Sequence, residues 1–292
     1  MKILIIKLGA SGDIIRTTTL LHILTGEIHW LTTDANLVLV EEIFKIHKCI
    51  PWSKKNSLVG SFYNLVINLE ESKVTAELIT QLKYNELFGT YLDDANTISY
   101  TENAKEWFDL SIISSLGKKR SDFLKLKNRK TYQELIYQGL GYQFKDEKYF
   151  LPKPIDTGLS GDIAIAPKAG KIWPMKNWAF YSELKSLLEK DGFKVNYLPI
   201  RESLLEHFAD VKNHTYLISG DSMPMHIALG FGIKCLSIFT CTSPWEIHGY
   251  NVQKKLISKR LEDFFYRRFF NEEATTSISL EEVYSAASEH FN

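Results

Sequence analysis

Short apolar runs recur along the chain, and stretches with helical periodicity separate them. The clearest runs cover residues 2–8, 28–31, 65–69, 163–166, 195–198, 216–218 and 235–239. Helices are predicted over residues 14–24, 37–46, 75–82, 131–139, 178–188 and 204–208. Apolar strands that alternate with helices are typical of right-handed βαβ units. We therefore expect open parallel sheets with helices on both faces.

A segment rich in Pro, Gly and Ser, residues 153–161, interrupts this alternation. The strand–helix rhythm weakens over residues 101–150 and restarts after that segment, as expected at a domain boundary. A last amphipathic segment, residues 280–290, closes the sequence. The pattern predicts an α/β protein with two tandem Rossmann-like domains joined near residue 155, which suits a length of 292 residues.

The composition is that of an ordinary soluble globular protein, with 45% hydrophobic and 24% charged residues. The formal net charge is zero, which argues against bulk binding to nucleic acid. The three cysteines are scattered and favour neither a zinc site nor a disulfide framework. No apolar run approaches the roughly 20 residues that span a bilayer, and residues 2–8 suit a buried first strand. We therefore expect a cytoplasmic protein.

The turn at residues 219–222 joins an apolar strand to an apolar helix and carries Asp221 and Ser222. A helix N-terminus at the carboxyl edge of a parallel sheet has partial positive charge and unpaired N–H donors. It therefore favours phosphate or sugar-hydroxyl ligands. The same residues also suit a plain N-cap. His226, one turn into this helix, is expected to be packed and hydrogen-bonded rather than to act as a base.

The turn at residues 9–13 follows the first strand and ends in Asp13. Ligands gather at this edge of open α/β sheets. Since a carboxylate there would repel phosphate, one interpretation is a general base that deprotonates a neutral hydroxyl. The other is a first-turn acid that stabilises the helix dipole, and spacing alone leaves both open.

Lys168 and Lys171 flank Gly170 after the first strand of the second domain. Two lysines there are placed to clamp a diphosphate, or they lie solvated in a surface loop. Residues 240–246 offer hydroxyls such as that of Thr242, which suit either a helix cap or a nucleotide contact. No DxD, HxxxH or HExxH pattern occurs, so we expect no bound metal and no cofactor.

Residues 118–130 carry seven basic side chains and one acid. Such a run in a neutral protein is either a solvated face or a dock for an anionic acceptor or membrane headgroups. The aromatic and basic residues 264–270 likewise suit either a membrane-surface contact or a packing segment between domains. Sequence alone leaves both pairs of interpretations open.

Three blocks of sequence share their order and spacing with a known family. Residues 2–18 form an apolar strand followed by a turn that contains Gly-Asp, and residues 171–178 read K-x-W-P-x-x-x-W. Residues 221–226 read D-S-x-x-x-H, and the pattern F-x-x-T-x-P follows at residues 239–244. Together these blocks resemble the bacterial heptosyltransferases of the lipopolysaccharide core pathway, which are glycosyltransferases with the GT-B fold.

The resemblance implies two Rossmann-like domains whose parallel sheets face an interdomain cleft. Residues 1–155 would bind the acceptor, residues 156–275 the nucleotide sugar, and residues 276–292 would form a helix that returns to the first domain. The implied reaction is an inverting, metal-independent transfer of heptose from ADP-L-glycero-β-D-manno-heptose to a lipopolysaccharide core or a related surface glycan. The implied partners are this donor and an anionic glycolipid or glycan, but no nucleic acid; peripheral contact with the inner membrane is left open.

By the same resemblance, Asp13 is the catalytic base, Lys171 contacts the donor diphosphate and Asp221 holds the donor sugar. The predicted donor-binding set is Lys168, Lys171, Asp221, Ser222, Met223, His226 and Thr242. The predicted acceptor-binding set is Arg16, Lys118, Lys119 and Arg120.

Two residues depart from the family pattern. Met223 stands where the family has Gly, and its side chain restricts close approach of the backbone to a diphosphate. A donor other than ADP-heptose is therefore one alternative. Arg16 stands where the family often has His, which alters the expected acceptor contacts. Further alternatives are a protein acceptor and a non-catalytic protein that binds nucleotide sugars.

Overall fold

The computed structural model describes residues 1–170 and 172–291. The chain forms two units, Met1–Pro152 and Lys153–Asn292. Each unit has its own sheet, in which most neighbouring strands are parallel. The predicted α/β class with two Rossmann-like domains is confirmed, and the predicted linker, residues 153–161, begins the second unit.

The first unit contains strands β1 (Lys2–Ile6), β2 (Glu27–Thr32), β3 (Lys48–Pro51), β4 (Phe62–Asn68), β5 (Lys83–Leu92) and β6 (Ile98–Tyr100). Its helices are α1 (Ser11–Thr17), α2 (Lys73–Ile79), α3 (Lys105–Phe108), α4 (Lys118–Lys127) and α5 (Tyr132–Gly139). The strand order is β3-β2-β1-β4-β5-β6, with β5 and β6 antiparallel and the other neighbours parallel.

Strand β1 lies at the centre of this sheet, between β2 and β4. Its residues 3–6 are fully buried, which is why a nearly continuous apolar run suits this position. In the register of the two strands, Ile6 lies opposite Asn68, so β1 and β4 end side by side. The loops that leave these two strands therefore meet at the carboxyl edge.

The connection from β2 to β3 differs from the helix predicted over residues 37–46, and that prediction is wrong. A 3-10 turn, Asp34–Leu39, is followed there by irregular turns. Asn36 ties the 3-10 turn to the loop after β1. Its amide donates to the carbonyl oxygen of Leu8 (3.0 Å), and its side-chain oxygen accepts a hydrogen bond from Ser11 Oγ (2.8 Å). This tertiary tether outweighs the local helical pattern.

The helix predicted over residues 14–24 begins earlier, at Ser11, and tightens into a 3-10 helix over Thr18–His22. Consecutive threonines explain the change, because their hydroxyls compete for carbonyl groups of the preceding turn. Thr18 Oγ1 donates to the carbonyl oxygen of Ile15 at 2.6 Å. Strand β5 was not predicted, because its first residues are exposed and break the apolar run.

The second unit contains strands β7 (Gly161–Ala166), β8 (Val195–Tyr197), β9 (His214–Gly220), β10 (Lys234–Phe239) and β11 (Gln253–Ile257). Its helices are α6 (Tyr181–Lys190), α7 (Leu204–Lys212), α8 (Met223–Phe231), α9 (Leu261–Phe264), α10 (Glu272–Thr275) and α11 (Leu280–Phe291). The strand order is β11-β10-β9-β7-β8, and these neighbouring strands are all parallel.

Helix α11 packs on the sheet of the second unit. Val283 and Ala287 are buried in the same hydrophobic cluster as Ile163 and Leu236. These contacts place α11 against the sheet of the second unit. The return of residues 276–292 to the first domain, which the family resemblance implies, stays a prediction. Within residues 1–170 and 172–291, neither this helix nor any other is long and apolar enough to cross a bilayer.

Candidate active site

A carboxylate from the loop after β4 holds the turn after β1. Glu70 Oε1 accepts hydrogen bonds from Lys7 Nζ (2.8 Å) and from the backbone N–H groups of Leu8 (2.8 Å) and Gly9 (3.3 Å). Glu70 was not predicted from the sequence, because its role depends on the pairing of β4 with β1. A glutamate directly after an apolar strand was the available signal. The turn that leads to Asp13 is thus anchored to the neighbouring strand.

Asp13 lies in the first turn of α1, and 32% of its side chain is exposed. Its Oδ1 lies 2.8 Å from Arg16 Nη2, and its Oδ2 lies 3.9 Å from Lys7 Nζ. Both cations attract the negative charge and restrain the carboxyl group. A carboxylate that is oriented by its neighbours and still reaches solvent has the geometry that a general base requires.

Lys7 and Arg16 are both buried, at 9% and 8% exposure. Burial alone would lower the pKa of Lys7, but the carboxylates of Asp13 and Glu70 outweigh it and raise that pKa, so Lys7 stays charged. The guanidinium carbon of Arg16 lies 4.0 Å from the centre of the Tyr132 ring, a cation–π contact that orients the guanidinium. The predicted acceptor residue Arg16 therefore lies against Asp13 and an aromatic ring.

The exposed first turn of α4 contains the three other predicted acceptor residues, Lys118, Lys119 and Arg120. Another residue of this helix, Lys125, lies near the same aromatic ring as Arg16. The Lys125 ammonium lies 6.0 Å and the Arg16 guanidinium carbon 5.9 Å from the centre of the Trp107 ring. Sequence reasoning did not single out Lys125 from the basic run, because only the packing of α4 shows which of its lysines face inward.

Asp13 belongs to a cluster of charges of both signs. The cluster contains three carboxylates, Asp13 included, and three cations: Asp13, Glu70, Glu71, Lys7, Arg16 and Lys125. Burial raises the pKa of Glu71, although the charges of Lys125 and Lys7 lower it in part. These six charges nearly cancel, so this part of the unit suits a neutral sugar hydroxyl better than a phosphate.

In the second unit, Asp221 directly follows β9 and is held by two side chains. Lys176 Nζ donates to Asp221 Oδ2 (2.7 Å) and to its carbonyl oxygen (2.9 Å), and Thr242 Oγ1 donates to Oδ2 (2.8 Å). Burial alone would raise the pKa of Asp221, but the Lys176 ammonium outweighs it and the pKa falls to about 2. Asp221 is therefore an ionised hydrogen-bond acceptor at neutral pH.

Gly220 allows Lys176 to approach Asp221. A Cβ atom on Gly220 would lie 2.7 Å from the carbonyl oxygen of Lys176, too close for any other residue without a backbone shift. The family resemblance implies that Lys171 contacts the donor diphosphate, and this residue lies outside the described residues. Lys176 belongs to the same K-x-W-P-x-x-x-W block, but only the packing of the 3-10 turn Pro174–Lys176 on β9 shows its partner.

A cavity of about 690 Å³ lies at the carboxyl ends of β7 and β8. Lys168, the segment after β8, helix α7 and the N-terminal turn of α8 line it. Ser222 is the N-cap of α8, and both Ser222 and Met223 contribute to the wall. A cavity of this volume suits a small-molecule ligand, and the backbone N–H groups of Ser222 and Met223 at the start of α8 favour an anionic one.

The remaining predicted donor residues, His226 and Thr242, are buried close to Asp221, at 4% and 1% exposure. The charge of His226 contributes to the low pKa of Asp221, after the larger effect of Lys176. Both residues therefore support Asp221 rather than line the cavity. Across residues 1–170 and 172–291, no three His, Cys, Asp or Glu side chains form a group that could hold a metal ion.

Lys255 on β11, which sequence reasoning missed, holds the segment that carries Thr242. Its ammonium donates to the carbonyl oxygens of Pro244 (2.7 Å) and Ile247 (2.5 Å). Burial lowers the pKa of Lys255 to about 8. Lys255 thus fixes the loop after β10, and through Thr242 it helps to position Asp221.

The sequence matches no protein-family model and no curated protein. Solved structures do match over nearly the whole chain. A family 9 glycosyltransferase from Veillonella parvula is 17% identical, with a TM-score of 0.70 and coverage of 99% of this chain and 97% of that one. The Escherichia coli heptosyltransferase WaaC, solved with ADP, is 14% identical, with a TM-score of 0.64 and coverage of 99% and 100%.

The E. coli ADP-heptose lipopolysaccharide heptosyltransferase II is 13% identical, with a TM-score of 0.62 and coverage of 100% of this chain and 98% of that one. At such identities a structural likeness shows the fold and leaves the donor and the acceptor open. The resemblance in fold that the sequence blocks implied is confirmed. The chain has the fold of the family 9 glycosyltransferases, heptosyltransferases among them.

Proposed function

We propose that this protein is a glycosyltransferase that transfers heptose from ADP-L-glycero-β-D-manno-heptose to a lipopolysaccharide core or related surface glycan, with inversion and without a metal ion. The observation that carries the proposal is the cavity at the start of α8, next to the ionised Asp221. It occurs in a chain with the fold of WaaC, which was solved with ADP. A helix N-terminus favours the charge of a diphosphate.

In this proposal the donor diphosphate binds the N–H groups of Ser222 and Met223 and the ammonium of Lys168. Lys171, which the family resemblance implies as a further diphosphate contact, lies outside the described residues. Positive groups at the diphosphate stabilise the charge that develops on the leaving ADP. They lower the barrier only as far as they bind that charge more tightly in the transition state than in the bound donor.

Asp221 has a different task, because its carboxylate stays ionised. With a pKa of about 2 it moves no proton near neutral pH, so we assign it to hydrogen bonds from the donor sugar's hydroxyls. Lys176 and Thr242 both donate to Oδ2, and we assign Oδ1 to the sugar. Because Lys176 and Thr242 hold the Asp221 carboxylate in place, its hydrogen bonds to the sugar would orient the sugar ring toward the attacking hydroxyl.

Asp13 is the proposed general base. It takes the proton of the acceptor hydroxyl while that oxygen attacks the anomeric carbon and the bond to ADP breaks. Arg16 and Lys7 hold the carboxylate in place. The nearly balanced charge around Asp13 suits a sugar hydroxyl, whereas Lys118, Lys119 and Arg120 suit an anionic group elsewhere on a glycolipid or glycan acceptor.

A donor panel tests this proposal. Thermal unfolding with ADP-heptose, other ADP-sugars, GDP-sugars and UDP-sugars should show the largest rise in Tm for ADP-heptose. A ligand at about 100 times its Kd stabilises a protein by roughly 2.7 kcal/mol. The matching turnover assay should release ADP and give a product of inverted configuration. A preference for UDP-sugars, or ADP-heptose binding that no acceptor extract converts to transfer, would contradict the proposal.

Met223 favours a second candidate, a transferase of the same fold that uses another nucleotide sugar. Its side chain stands at the first position of α8 and lines the cavity. Met223→Gly should strengthen ADP-heptose binding if this side chain crowds the diphosphate, while the control Met223→Leu should leave binding unchanged. If the wild-type protein binds a different sugar nucleotide more tightly than ADP-heptose, this second candidate replaces the first.

A further inference from the structure

We propose that His207 selects the nucleobase of the donor, by hydrogen bonds between its imidazole ring and the edge of an adenine base. The assignment rests on the proposed function, because it takes the donor diphosphate to bind at the start of α8. Three observations carry it: the position of His207 in the cavity of the second unit, the state of its ring nitrogens, and the ion pair that fixes helix α7.

The cavity crosses the carboxyl ends of three adjacent strands. Strands β9, β7 and β8 are neighbours in the sheet, and residues that follow each of them line the cavity. Neighbouring strands lie about 4.8 Å apart, so the cavity extends about 10 Å from the start of α8 toward β8. The donor sugar is assigned to Asp221, which is bonded to Thr242 on the β10 side. The nucleoside therefore extends the other way, toward β8.

The wall beside β8 suits a flat base without a negative partner. Tyr197, Leu198, Pro199 and Leu204 give it an aromatic and apolar surface, and His207 also lines the cavity. Among the described lining residues there is no Asp or Glu. Guanine presents two adjacent N–H donors that a carboxylate matches, so this wall favours adenine over guanine. A purine also buries more apolar surface there than uracil does.

The ring nitrogens of His207 have no hydrogen-bond partner within residues 1–170 and 172–291. By contrast, His214 uses both of its nitrogens: Nδ1 donates to the carbonyl oxygen of Asp210 (2.6 Å), and Nε2 accepts from Asn196 Nδ2 (3.0 Å). Burial lowers the pKa of His207, so its imidazole is neutral at pH 7. A neutral imidazole has one N–H donor and one nitrogen acceptor, and both kinds of group occur on the edge of adenine.

An ion pair holds His207 in place. Asp210 lies three residues after His207 and therefore on the same side of α7. It is fully buried and accepts hydrogen bonds from Arg201 Nε (2.7 Å) and Nη2 (2.8 Å). Arg201 belongs to the segment after β8 and lines the cavity, so the pair joins that segment to the helix. A side chain that is held before the ligand arrives loses little freedom on binding.

Nucleotide titration of the full chain tests the assignment, with ADP, GDP, UDP and inorganic pyrophosphate as the ligands. The wild type should bind ADP about tenfold more tightly than GDP or UDP. His207→Leu should lose about tenfold in ADP affinity and keep its affinity for pyrophosphate, because it removes a hydrogen bond to the base only. His207→Gln keeps a donor and an acceptor and should recover most of the lost affinity.

Two matched variants separate the base from the diphosphate and from histidine loss in general. Lys168→Ala should weaken ADP, GDP, UDP and pyrophosphate by the same factor, which leaves the preference for ADP unchanged. His22→Leu replaces an exposed histidine of the first unit and should bind all four ligands like the wild type. The Tm of each variant without ligand shows whether it is folded.

The assignment is overturned if His207→Leu keeps the wild-type ratio of ADP to UDP affinity, and the proposed function then stands. It is also overturned if this variant weakens pyrophosphate as much as ADP, which would show a general effect on the cavity. A wild type that binds none of the nucleotides would overturn both the assignment and the proposed function. A wild-type preference for UDP would contradict both adenine and ADP-heptose.

Discussion

Asp13 and Asp221 are both carboxylates at the carboxyl edge of a parallel sheet, each beside a lysine, but their surroundings differ. The side chain of Asp13 is 32% exposed, and its oxygens face Arg16 at 2.8 Å and Lys7 at 3.9 Å. The side chain of Asp221 is 15% exposed, and Lys176 and Thr242 both donate to Oδ2. Asp13 is paired with a cation and reaches solvent, whereas Asp221 accepts two hydrogen bonds at one oxygen and is less exposed.

The different surroundings of Asp13 and Asp221 indicate that position at a sheet edge does not by itself decide the role of a carboxylate. A proton carrier needs an accessible oxygen whose partners orient it without occupying it. A fixed acceptor needs strong partners that keep it ionised, as Lys176 does for Asp221. We therefore assign proton transfer to the first unit and sugar binding to the second, and each prediction below tests that division.

The largest effect should come from Asp13→Asn. Loss of a general base should lower the transfer rate by about 10²- to 10⁴-fold while donor affinity stays unchanged. Steady-state kinetics and donor titration measure both quantities. The control Asp109→Asn, at a carboxylate that accepts a hydrogen bond from Tyr100 in the same unit, should keep the wild-type rate. A rate unchanged in Asp13→Asn would remove this residue from the mechanism.

Lys176→Met should be the next largest change, because it leaves the ionised and largely covered Asp221 without its charged partner. Breaking a buried ion pair costs about 3 kcal/mol or more of unfolding free energy. Urea unfolding measures this loss. The control Lys185→Met breaks an exposed pair with Glu189 and should cost less than about 1 kcal/mol. Equal losses in the two variants would show that the Asp221 pair is as weak as a surface pair.

Acid should remove the contribution of Asp221 to the free energy of unfolding within a defined pH window. The pKa of Asp221 falls from an ordinary 3.8 to about 2 on folding, so its contribution is complete above pH 3.8 and is lost as pH drops through about 2. The loss should be about 2 kcal/mol. Urea unfolding at about pH 5 and about pH 2 should show a smaller pH difference in Asp221→Asn than in the wild type. Identical differences would contradict the assignment.

The smallest effect should come from Arg16→Gln, which keeps Asp13 but removes its closest cation. We expect the turnover rate to fall about tenfold, since an unanchored carboxylate spends less time in the productive orientation. The exposed Arg260→Gln is the control, and an unchanged turnover rate in Arg16→Gln would show that Arg16 does not hold Asp13 for the reaction.

Much of the fold was predictable because it rests on local patterns. The apolar run of β1 and its following turn predicted a central buried strand that ends at Asp13, and the structure places both there. The helix expected over residues 37–46 failed because Asn36 binds the loop after β1, a partner that no local pattern contains. Strand β5 was missed for a related reason, since the pairing with β4 supports a segment whose own pattern is weak.

The sequence by itself determined the two α/β units, the turns that carry Asp13 and Asp221, and the resemblance to bacterial heptosyltransferases. These features follow from hydrophobic periodicity and short motifs, which are local in the chain. Only the tertiary structure decided that Glu70 anchors Lys7 and that Lys176 pairs with Asp221. The two members of each pair are far apart in the sequence, and the packing of the parallel strands and their loops brings them to the same sheet edge.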